Sequence, residues 1–443
     1  MVSPHKANFE PARLMWIGVI LAALGISVSA GPLAVDPGNR DGIYALGDEV
    51  VVAIKATGQI DLDKVAVTIT RDGWTKLPSP QMTRAGESLA VRFRPETAGW
   101  YMCEASLAGG APQDVARAGV IVSPDKIGPS APEPNDLDEF WNARRAALAA
   151  APLEPNLKPV ESPDPQIECF SVELPCPQTK AVQGYFAQPK GGAAGKCPAI
   201  LYLRAAGVAG DWCRASIQNA VWLARQYDAI VLDINAHGML NGRTHEYYRN
   251  LEQGELRNYW MQGVEDRDMW YFVGMYMRAL RSIEFLAARE PWDGKHLITM
   301  GESQGGGQAL AAAGLDQRVS AVVALVPALC DLTGPVVGRQ GGWPMPVGSD
   351  INSERTKRII NAARYCDNVN LARRSHAETL VFVGLIDTTC PAPGIIAAYN
   401  NLPGSKRIVI YPHKPHNGLP PEDAWLGAID TLRDEFLRRH IEN

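Results

Sequence analysis

Residues 296–315 of this 443-residue chain read HLITMGESQGGGQALAAAGL, and this stretch decides the fold. An apolar run, His296 to Met300, precedes the turn Gly301-Glu302-Ser303-Gln304-Gly305, and small residues follow from Gly307 to Leu315. A Gly-x-Ser-x-Gly sequence between a strand and a helix is typical of a nucleophile elbow, a strained turn that raises the serine Oγ above a sheet. The sequence therefore predicts a nucleophilic Ser303, with a purely structural turn as the alternative.

Other apolar runs of similar length flank this stretch and are bounded by turn residues. Uninterrupted apolar runs are expected of parallel strands that are buried on both faces. These runs are 199–203, 229–233, 320–326, 379–383 and 407–411. Helical patterns lie between and after them, including Trp270 to Ala288 and the terminal segment Ala424 to Arg439. This alternation predicts an α/β fold, with a mostly parallel sheet covered by helices as in the α/β-hydrolases.

A catalytic serine needs two partners, because its hydroxyl attacks only when a base takes its proton and an acid orients that base. In the α/β-hydrolase fold the acid and then the histidine follow the serine in the chain, on loops after later strands. Asp387 lies just after the predicted strand 379–383 and is therefore the candidate acid. The alternative is that Asp387 only caps the turn before Thr388.

Two histidines compete for the role of base. His413 and His416 both follow the predicted strand 407–411. We predict His416 as the base, because the following Asn417-Gly418 allows its loop to fold back over the sheet. His413 is interpreted as a neighbouring or surface residue.

A different periodicity runs from about Gly42 to Val122. Apolar and polar residues alternate in the short runs 50–54, 65–69, 89–93 and 119–122. Alternation at period two predicts strands with one buried face, so this region is predicted to form a small β-sandwich. Tyr101 lies two residues before Cys103, a spacing that resembles the tyrosine corner of immunoglobulin-like domains.

The predicted organisation has four segments. They are a signal peptide (1–30), an immunoglobulin-like β-sandwich (36–124, here the β-domain), a Pro- and Ser-rich linker (125–135) and a hydrolase domain (136–443). Because few contacts need to cross a Pro-rich linker, we predict that the β-domain folds independently and that residues Lys126 to Asn443 alone keep turnover at Ser303 within about tenfold. The alternative is that the β-domain packs over the pocket and supplies part of its wall.

The N-terminal segment has the pattern of a secretory signal. Lys6 and Arg13 precede the apolar run Leu14 to Ile26, which is followed by Ser27-Val28-Ser29-Ala30. A basic start, a short apolar stretch and small residues predict a signal peptide cut after Ala30, and hence a secreted or periplasmic protein. The alternative is an uncleaved N-terminal anchor. Once the signal is removed, no membrane association is expected.

The composition excludes several function classes. The chain is 46% hydrophobic and 21% charged, which is typical of a globular protein. Its 43 Lys and Arg against 48 Asp and Glu give a net charge of −5, so a nucleic-acid partner, which would require a basic face, is not expected. The eight cysteines form no Cys-x-x-Cys pair, which excludes the usual zinc motif. A bridge between Cys169 and Cys176 stays open.

One further stretch carries a family resemblance. Gly384 to Pro391 (GLIDTTCP) and the continuation Ala397 to Asn400 resemble the acid-loop signature of the acetyl xylan esterase and cephalosporin-C deacetylase family. The resemblance covers about Asp136 to Leu437. Four other segments agree with it: 136–141 (DLDEFW), 303–307 (SQGGG), 327–331 (PALCD) and 365–370 (YCDNVN).

The resemblance implies α/β-hydrolases that remove acetyl groups from sugars and related small esters without a metal or organic cofactor. The positions that match the family's triad are Ser303, Asp387 and His416, and those that match its backbone oxyanion donors are Gln304 and Ala206. The chain departs from the family at Arg204-Ala205-Ala206-Gly207, where members usually carry His-Gly-Tyr. This departure changes the wall of the acyl pocket and puts the acetyl preference in doubt.

The sequence therefore predicts an exported serine esterase that removes acetyl or other short acyl groups from carbohydrates through an acyl-enzyme. The alternatives are another α/β-hydrolase activity, such as a peptidase or a uronoyl-ester hydrolase, and an inactive scaffold that binds carbohydrate. The appended β-domain puts the family's ring-like oligomer in doubt, so the oligomeric state stays open.

Overall fold

The structure is a computed structural model that describes residues 31–57, 60–107, 109–110, 114–192, 194–418, 423 and 427–443. The predicted signal segment, residues 1–30, lies outside the described residues. Within the described ranges, no helix combines the length and the apolar character that a membrane crossing requires.

Two antiparallel-rich sheets make up the N-terminal region. Their strands are β1 (Leu33–Asp36), β2 (Ile43–Tyr44), β3 (Val50–Ala56), β4 (Val65–Arg71), β5 (Thr75–Lys76), β6 (Gln81–Ala85), β7 (Ser88–Phe93), β8 (Gly99–Leu107) and β9 (Ala116–Val122). One sheet has the order β1-β3-β7-β6 and the other β2-β9-β8-β4-β5. The alternating residues Val50, Val52 and Ile54 are fully buried and contribute to a core that residues of both sheets share.

The predicted tyrosine corner has a matching hydrogen bond. Tyr101 lies in β8, and its hydroxyl donates to the carbonyl oxygen of Thr97 at 2.8 Å. A hydroxyl bonded to the backbone a few residues upstream is the contact that defines this feature. The immunoglobulin-like assignment of the whole region stays a prediction.

The third and largest sheet carries the predicted parallel strands. Its strands are β10 (Asn156–Val160), β11 (Ile167–Leu174), β12 (Val182–Pro189), β13 (Cys197–Leu203), β14 (Ile230–Ile234), β15 (Trp292–Glu302), β16 (Ala321–Leu325), β17 (Glu378–Gly384) and β18 (Lys406–Tyr411). They have the order β10-β11-β12-β14-β13-β15-β16-β17-β18. The strands from β14 to β18 in this order pair in parallel, whereas β10, β11 and β12 are antiparallel additions at one edge.

Helices cover both faces of the larger sheet, as predicted. They are α1 (Leu137–Ala150), α2 (Ile217–Tyr227), α3 (His245–Gln253), α4 (Tyr271–Ala287), α5 (Gln304–Leu315), α6 (Glu354–Ala363), α7 (Asn368–Leu371), α8 (Ala392–Asn401) and α9 (Ile429–Glu442). Buried residues of α4, α5 and α8 pack on one face, and those of α2 and α9 on the other. The last helix was expected from Ala424, but 424–426 lie outside the described residues and the described helix begins at Ile429.

The β-domain packs directly on the hydrolase domain. Its residues Trp100, Met102 and Ile121 join the hydrophobic cluster of the larger sheet. The segment 125–135, predicted as a linker, is also held in place, because the backbone N–H and the hydroxyl of Ser130 donate to the Asp331 carboxylate at 2.8 and 2.6 Å. Contacts across this boundary are therefore more extensive than a Pro-rich linker suggests.

Candidate active site

Ser303 occupies the turn between β15 and α5, at the carboxyl end of the central parallel strands. Its backbone has φ 54° and ψ −119°, a conformation that L-residues rarely adopt. Two glycines make the turn possible, since a Cβ at Gly301 or Gly305 would lie 2.5 or 2.0 Å from the carbonyl oxygen of Leu203. The sequence folds this way locally because only glycine fits where the turn crosses the neighbouring strand.

The structure brings together the three residues predicted as a triad. The hydroxyl of Ser303 lies 3.0 Å from His416 Nε2, and His416 Nδ1 lies 2.8 Å from Asp387 Oδ2. The three come from different loops, after β15, β17 and β18, which end side by side because these strands are parallel. Ser303 is only 6% exposed and Asp387 is fully buried.

The loop that follows β17 (residues 385–390, the acid loop) fixes the orientation of Asp387. The second carboxylate oxygen, Oδ1, accepts hydrogen bonds from the backbone N–H groups of Thr389 and Cys390, each at 2.8 Å. These bonds leave Oδ2 directed at His416. The alternative role of Asp387 was to cap the turn before Thr388. The same carboxylate does both, since Oδ1 binds the backbone of its own loop and Oδ2 contacts His416.

A buried lysine organises the loop that carries His416. Lys414 is 1% exposed, and its ammonium donates to the carbonyl oxygens of Pro415, His416 and Gly418 at 3.2, 3.2 and 2.7 Å. Burial lowers the pKa of Lys414, and the nearby carboxylates act against that shift. Sequence reasoning missed this residue, since an isolated lysine in a loop resembles a surface charge.

His413, the other candidate base, is turned away from the serine. Its Nδ1 lies 2.8 Å from Asp423 Oδ1, and its Nε2 lies 2.8 Å from the carbonyl oxygen of Val35 in β1. Both ring nitrogens therefore face acceptor oxygens, and neither faces Ser303.

The two predicted oxyanion donors lie on neighbouring segments. The N–H of Gln304 is the first of helix α5 and has no partner within that helix. Ala206 lies just beyond the end of β13, and its carbonyl oxygen accepts a 2.7 Å hydrogen bond from Trp212 Nε1. The close approach of Gly305 to Leu203 brings the start of α5 against the chain that leads to Ala206.

An ion pair anchors the segment 204–207, called the strip below, which contains Ala206. Arg204 Nε donates to Asp233 Oδ1 at 2.8 Å, and Nη2 donates to the other carboxylate oxygen. Asn219 Nδ2 also donates to this carboxylate, at 2.8 Å. Burial raises the pKa of Asp233, and the guanidinium beside it opposes that effect. The family-divergent Arg204 is therefore a buried support of the strip and not a solvent-facing group.

A neutral histidine supports the next residue of the strip. His237 is fully buried, with Nε2 at 2.7 Å from the carbonyl oxygen of Gly207 and Nδ1 at 2.9 Å from the Tyr271 hydroxyl. Burial lowers the pKa of His237 to about 3, so the ring is uncharged at neutral pH. A neutral imidazole suits this position, because it donates to Gly207 and accepts from Tyr271.

Cys390 completes a group of ligand-type side chains around the triad. Among the described residues, atoms of Asp387, Cys390 and His416 that could bind a metal lie within 4.8 Å of one another. Burial and the Asp387 charge raise the pKa of the Cys390 thiol well above its usual range. A metal requires the thiolate, and both ring nitrogens of His416 are already engaged, so this group is a poor metal site.

Comparison with known proteins identifies a family that matches most of the chain. The model of the acetyl xylan esterase (AXE1) family matches residues 125–425, a stretch that contains Ser303, Asp387 and His416 but not the β-domain. Acetyl esterase Axe7A from Xylanibacter ruminicola is 29% identical over 301 residues, which are 66% of this chain and 66% of that protein. The chain thus spans slightly less than two thirds of the curated relative's length.

Two solved structures are similar to the chain. An acetyl xylan esterase from Paenibacillus sp. R4 has 26% identity and a TM-score of 0.58, covering 72% of this chain and 98% of that one. Acetyl xylan esterase 1 from Thermoanaerobacterium sp. JW/SL YS485 has 23% identity and a TM-score of 0.58, covering 72% and 97%. These likenesses confirm the predicted α/β-hydrolase fold.

Proposed function

The chain belongs to the acetyl xylan esterase family of carboxylic ester hydrolases, and we propose that it removes acetyl or other short acyl groups from carbohydrates by a Ser-His-Asp mechanism. The observation that carries the proposal is the hydrogen-bonded chain from Ser303 through His416 to Asp387. Ser303 stands at a strained turn that leads into a helix, which is the nucleophile elbow of serine hydrolases with this fold.

In the first half of the reaction, Ser303 Oγ attacks the ester carbonyl carbon while its proton passes to His416 Nε2. Asp387 accepts from Nδ1–H, which holds the imidazole in the tautomer that leaves Nε2 free and stabilises the imidazolium. The C–O bond to the sugar then breaks, and the imidazolium protonates the departing sugar oxygen. The products are the free hydroxyl of the carbohydrate and an ester of Ser303.

In the second half, water takes the place of the sugar. His416 removes a proton from that water, the hydroxide attacks the acyl carbon, and the proton returns to Ser303 Oγ as the acid leaves. The buried Asp387, with two backbone donors on its other oxygen, keeps its position through both halves.

The negative charge that develops on the carbonyl oxygen needs donors that are already in place. We assign this role to the backbone N–H groups of Gln304 and Ala206. Loss of one such donor costs about 10²- to 10³-fold in kcat in well-studied hydrolases. Since both donors are backbone groups, the alanines at 205 and 206 preserve the donor and change only the size of the neighbouring side chains.

The proposed substrates are acylated carbohydrates, and the side chains of Ala205 and Ala206 leave the acyl length open beyond acetate. Neither a metal nor an organic cofactor has a role in this mechanism, and the net charge of −5 gives no reason to expect a nucleic-acid partner. We further propose that residues 1–30 direct export, so that the enzyme meets its substrate outside the cytoplasm.

The test is acid release by the purified chain from acetylated xylan, mono-acetylated sugars and aryl esters of increasing acyl length. We expect acetate release that the Ser303→Ala variant lacks, and the series of aryl esters then shows which acyl length the pocket prefers. Cleavage of peptides in preference to esters, or of uronoyl esters in preference to acetyl esters, would replace the proposal with that activity.

A further inference from the structure

The β-domain touches the acid loop through one buried indole. Trp100 of β8 is fully buried, and its Nε1–H donates to the carbonyl oxygen of Leu385 at 2.6 Å. Leu385 lies two residues before Asp387, directly after β17. A side chain of the appended domain thus satisfies a buried carbonyl group of the loop that holds the proposed catalytic acid.

A neighbouring strand contacts both the acid loop and the loop that carries His416 (residues 412–418, the base loop). The backbone N–H of Gly119 in β9 donates to the carbonyl oxygen of Pro412 at 2.9 Å, four residues before His416. A Cβ at Gly119 would lie only 2.1 Å from the carbonyl oxygen of Leu385. Glycine at this position therefore lets β9 lie in contact with both loops.

Three more hydrogen bonds extend this support. The carbonyl oxygen of Asp72 accepts from the backbone N–H of Gln340 at 2.9 Å. Gln340 Nε2 in turn donates at 2.7 Å to the carbonyl oxygen of Thr388, which directly follows Asp387. In the base loop, His413 Nε2 lies 2.8 Å from the carbonyl oxygen of Val35 in β1.

These contacts flank both Asp387 and His416 without including either side chain. We propose that the β-domain is a positioning element for the proposed hydrolysis, on which this inference rests: Trp100 and Gly119 hold the acid and base loops at hydrogen-bonding distance from each other and from Ser303. The physical reason is that small displacements of such groups, of about 1 Å, cost around 10²-fold in rate. The domain acts from behind the loops and does not itself contact the reacting atoms.

The first variant is Trp100→Phe in the full chain, with Trp74→Phe as the matched control. Phenylalanine keeps an aromatic ring and removes the donor to Leu385, whereas Trp74 lies in the same domain and is 45% exposed. In assays at a temperature well below the melting temperature of the variant, we expect Trp100→Phe to lower kcat on an aryl acetate about tenfold and to change KM less than twofold. Trp74→Phe should leave both constants unchanged.

The second readout does not depend on activity. Hydrogen–deuterium exchange of the backbone at 385–390 and 412–418 should become faster in Trp100→Phe and not in Trp74→Phe. If the wild-type chain hydrolyses no ester while exchange still rises, the proposed function fails and the support of the loops stands. Unchanged exchange, or faster exchange with an unchanged kcat, overturns the positioning role.

Two further variants cover the case in which Trp100→Phe does not fold. Gly119→Ala pushes a methyl group against Leu385, and its control is Gly128→Ala, where a Cβ meets nothing within 4 Å. Gln340→Ala removes the hydrogen bond to the carbonyl oxygen of Thr388, together with a weaker contact to Met345 Sδ, and should lower kcat about threefold. Equal kcat in Gln340→Ala and wild type, together with a folded but fully active Gly119→Ala, would overturn the proposal.

Discussion

Two clusters in this molecule have nearly the same Ser-His-acid hydrogen bonds. In the first, Ser303 lies 3.0 Å from His416, which lies 2.8 Å from Asp387. In the second, Ser320 Oγ lies 2.9 Å from His440 Nε2, and His440 Nδ1 lies 3.0 Å from Glu378 Oε2. Interatomic distances within the clusters do not distinguish them.

Their surroundings do distinguish them. Ser320 precedes β16 and does not have a positive φ, whereas Ser303 has a positive φ at the start of a helix. The Ser320 hydroxyl also lies 3.2 Å from the carbonyl oxygen of Leu297 and accepts from the N–H of Leu297 at 3.0 Å. Its oxygen is therefore used within the sheet, and Ser320 leads into a strand, whereas Ser303 leads into a helix whose first N–H groups can bind an oxyanion.

The second cluster has a structural role. His440 and Arg439, near the end of α9, both bind Glu378 at the start of β17, and His440 also binds Ser320. The cluster therefore fastens the terminal helix to the amino-terminal ends of β16 and β17, whereas the candidate active site lies at the carboxyl ends of the strands. In this fold, the strained turn and the helix N–H groups therefore distinguish Ser303, the candidate nucleophile, from Ser320.

The largest expected difference is between the two serines. Ser303→Ala should reduce aryl-acetate hydrolysis about 10⁴-fold or more, because the nucleophile is lost. Ser320→Ala, the matched control, should stay within threefold of the wild type. Steady-state rates of both folded variants check the prediction, and a severe loss in Ser320→Ala would erase the distinction between the clusters.

The histidines provide the next comparison. His416→Ala should be about as damaging as Ser303→Ala, since the Nε2 that faces the serine hydroxyl as its base is lost. His440→Ala keeps the Ser303–His416 contact and should leave turnover unchanged, whereas His413→Ala loses the supporting contact to Val35 and should lower kcat about threefold. If His413→Ala abolishes turnover while His416→Ala is mild, the assignment of the base is wrong.

A smaller effect is expected on stability. His440→Ala removes two hydrogen bonds of the second cluster and should lower the free energy of unfolding by about 2 kcal/mol. Urea unfolding of this variant and the wild type measures the difference. A variant as stable as the wild type would contradict the fastening role.

The pH dependence of the same variant sharpens this test. Burial lowers the pKa of His440, so the unfolded chain binds a proton more readily than the folded chain does. The stability that His440 contributes is therefore present above its ordinary pKa of about 6.5 and is lost as the pH falls through the lowered value. His440→Ala should flatten this part of the stability profile.

The smallest expected effect is that of a chelator. Asp387, Cys390 and His416 lie close enough to bind a metal, but the raised thiol pKa and the engaged imidazole disfavour it. Prolonged chelation should leave ester hydrolysis unchanged. A loss that zinc or calcium reverses would show that this group binds a required metal.

The sequence predicted the central parallel strands within a few residues, because their apolar runs are uninterrupted. It did not identify the antiparallel strands β10, β11 and β12, in which polar residues such as Lys158 and Glu168 interrupt the apolar pattern. The helix after Ser303 begins at Gln304 and not at Gly307, because the glycines that resembled a turn are packed inside the helix.

The candidate site likewise contains residues that a local sequence pattern identifies and residues that it does not. Ser303, Asp387 and His416 were accessible from the sequence, since each follows a predicted strand in a known order. Lys414, Trp100 and Gly119 were not, because their roles depend on contacts between segments far apart in the chain. No local pattern distinguishes a buried lysine or an interdomain tryptophan from a surface residue.

Of the two serines bonded to His416 and His440, we expect only Ser303 to act as a nucleophile. Reaction of the full-length protein with a fluorophosphonate, followed by peptide mapping, tests this expectation. We predict one modification, on the peptide that contains Ser303, with hydrolysis lost in proportion to labelling. A label on Ser320, or hydrolysis that persists when Ser303 is fully modified, would contradict it.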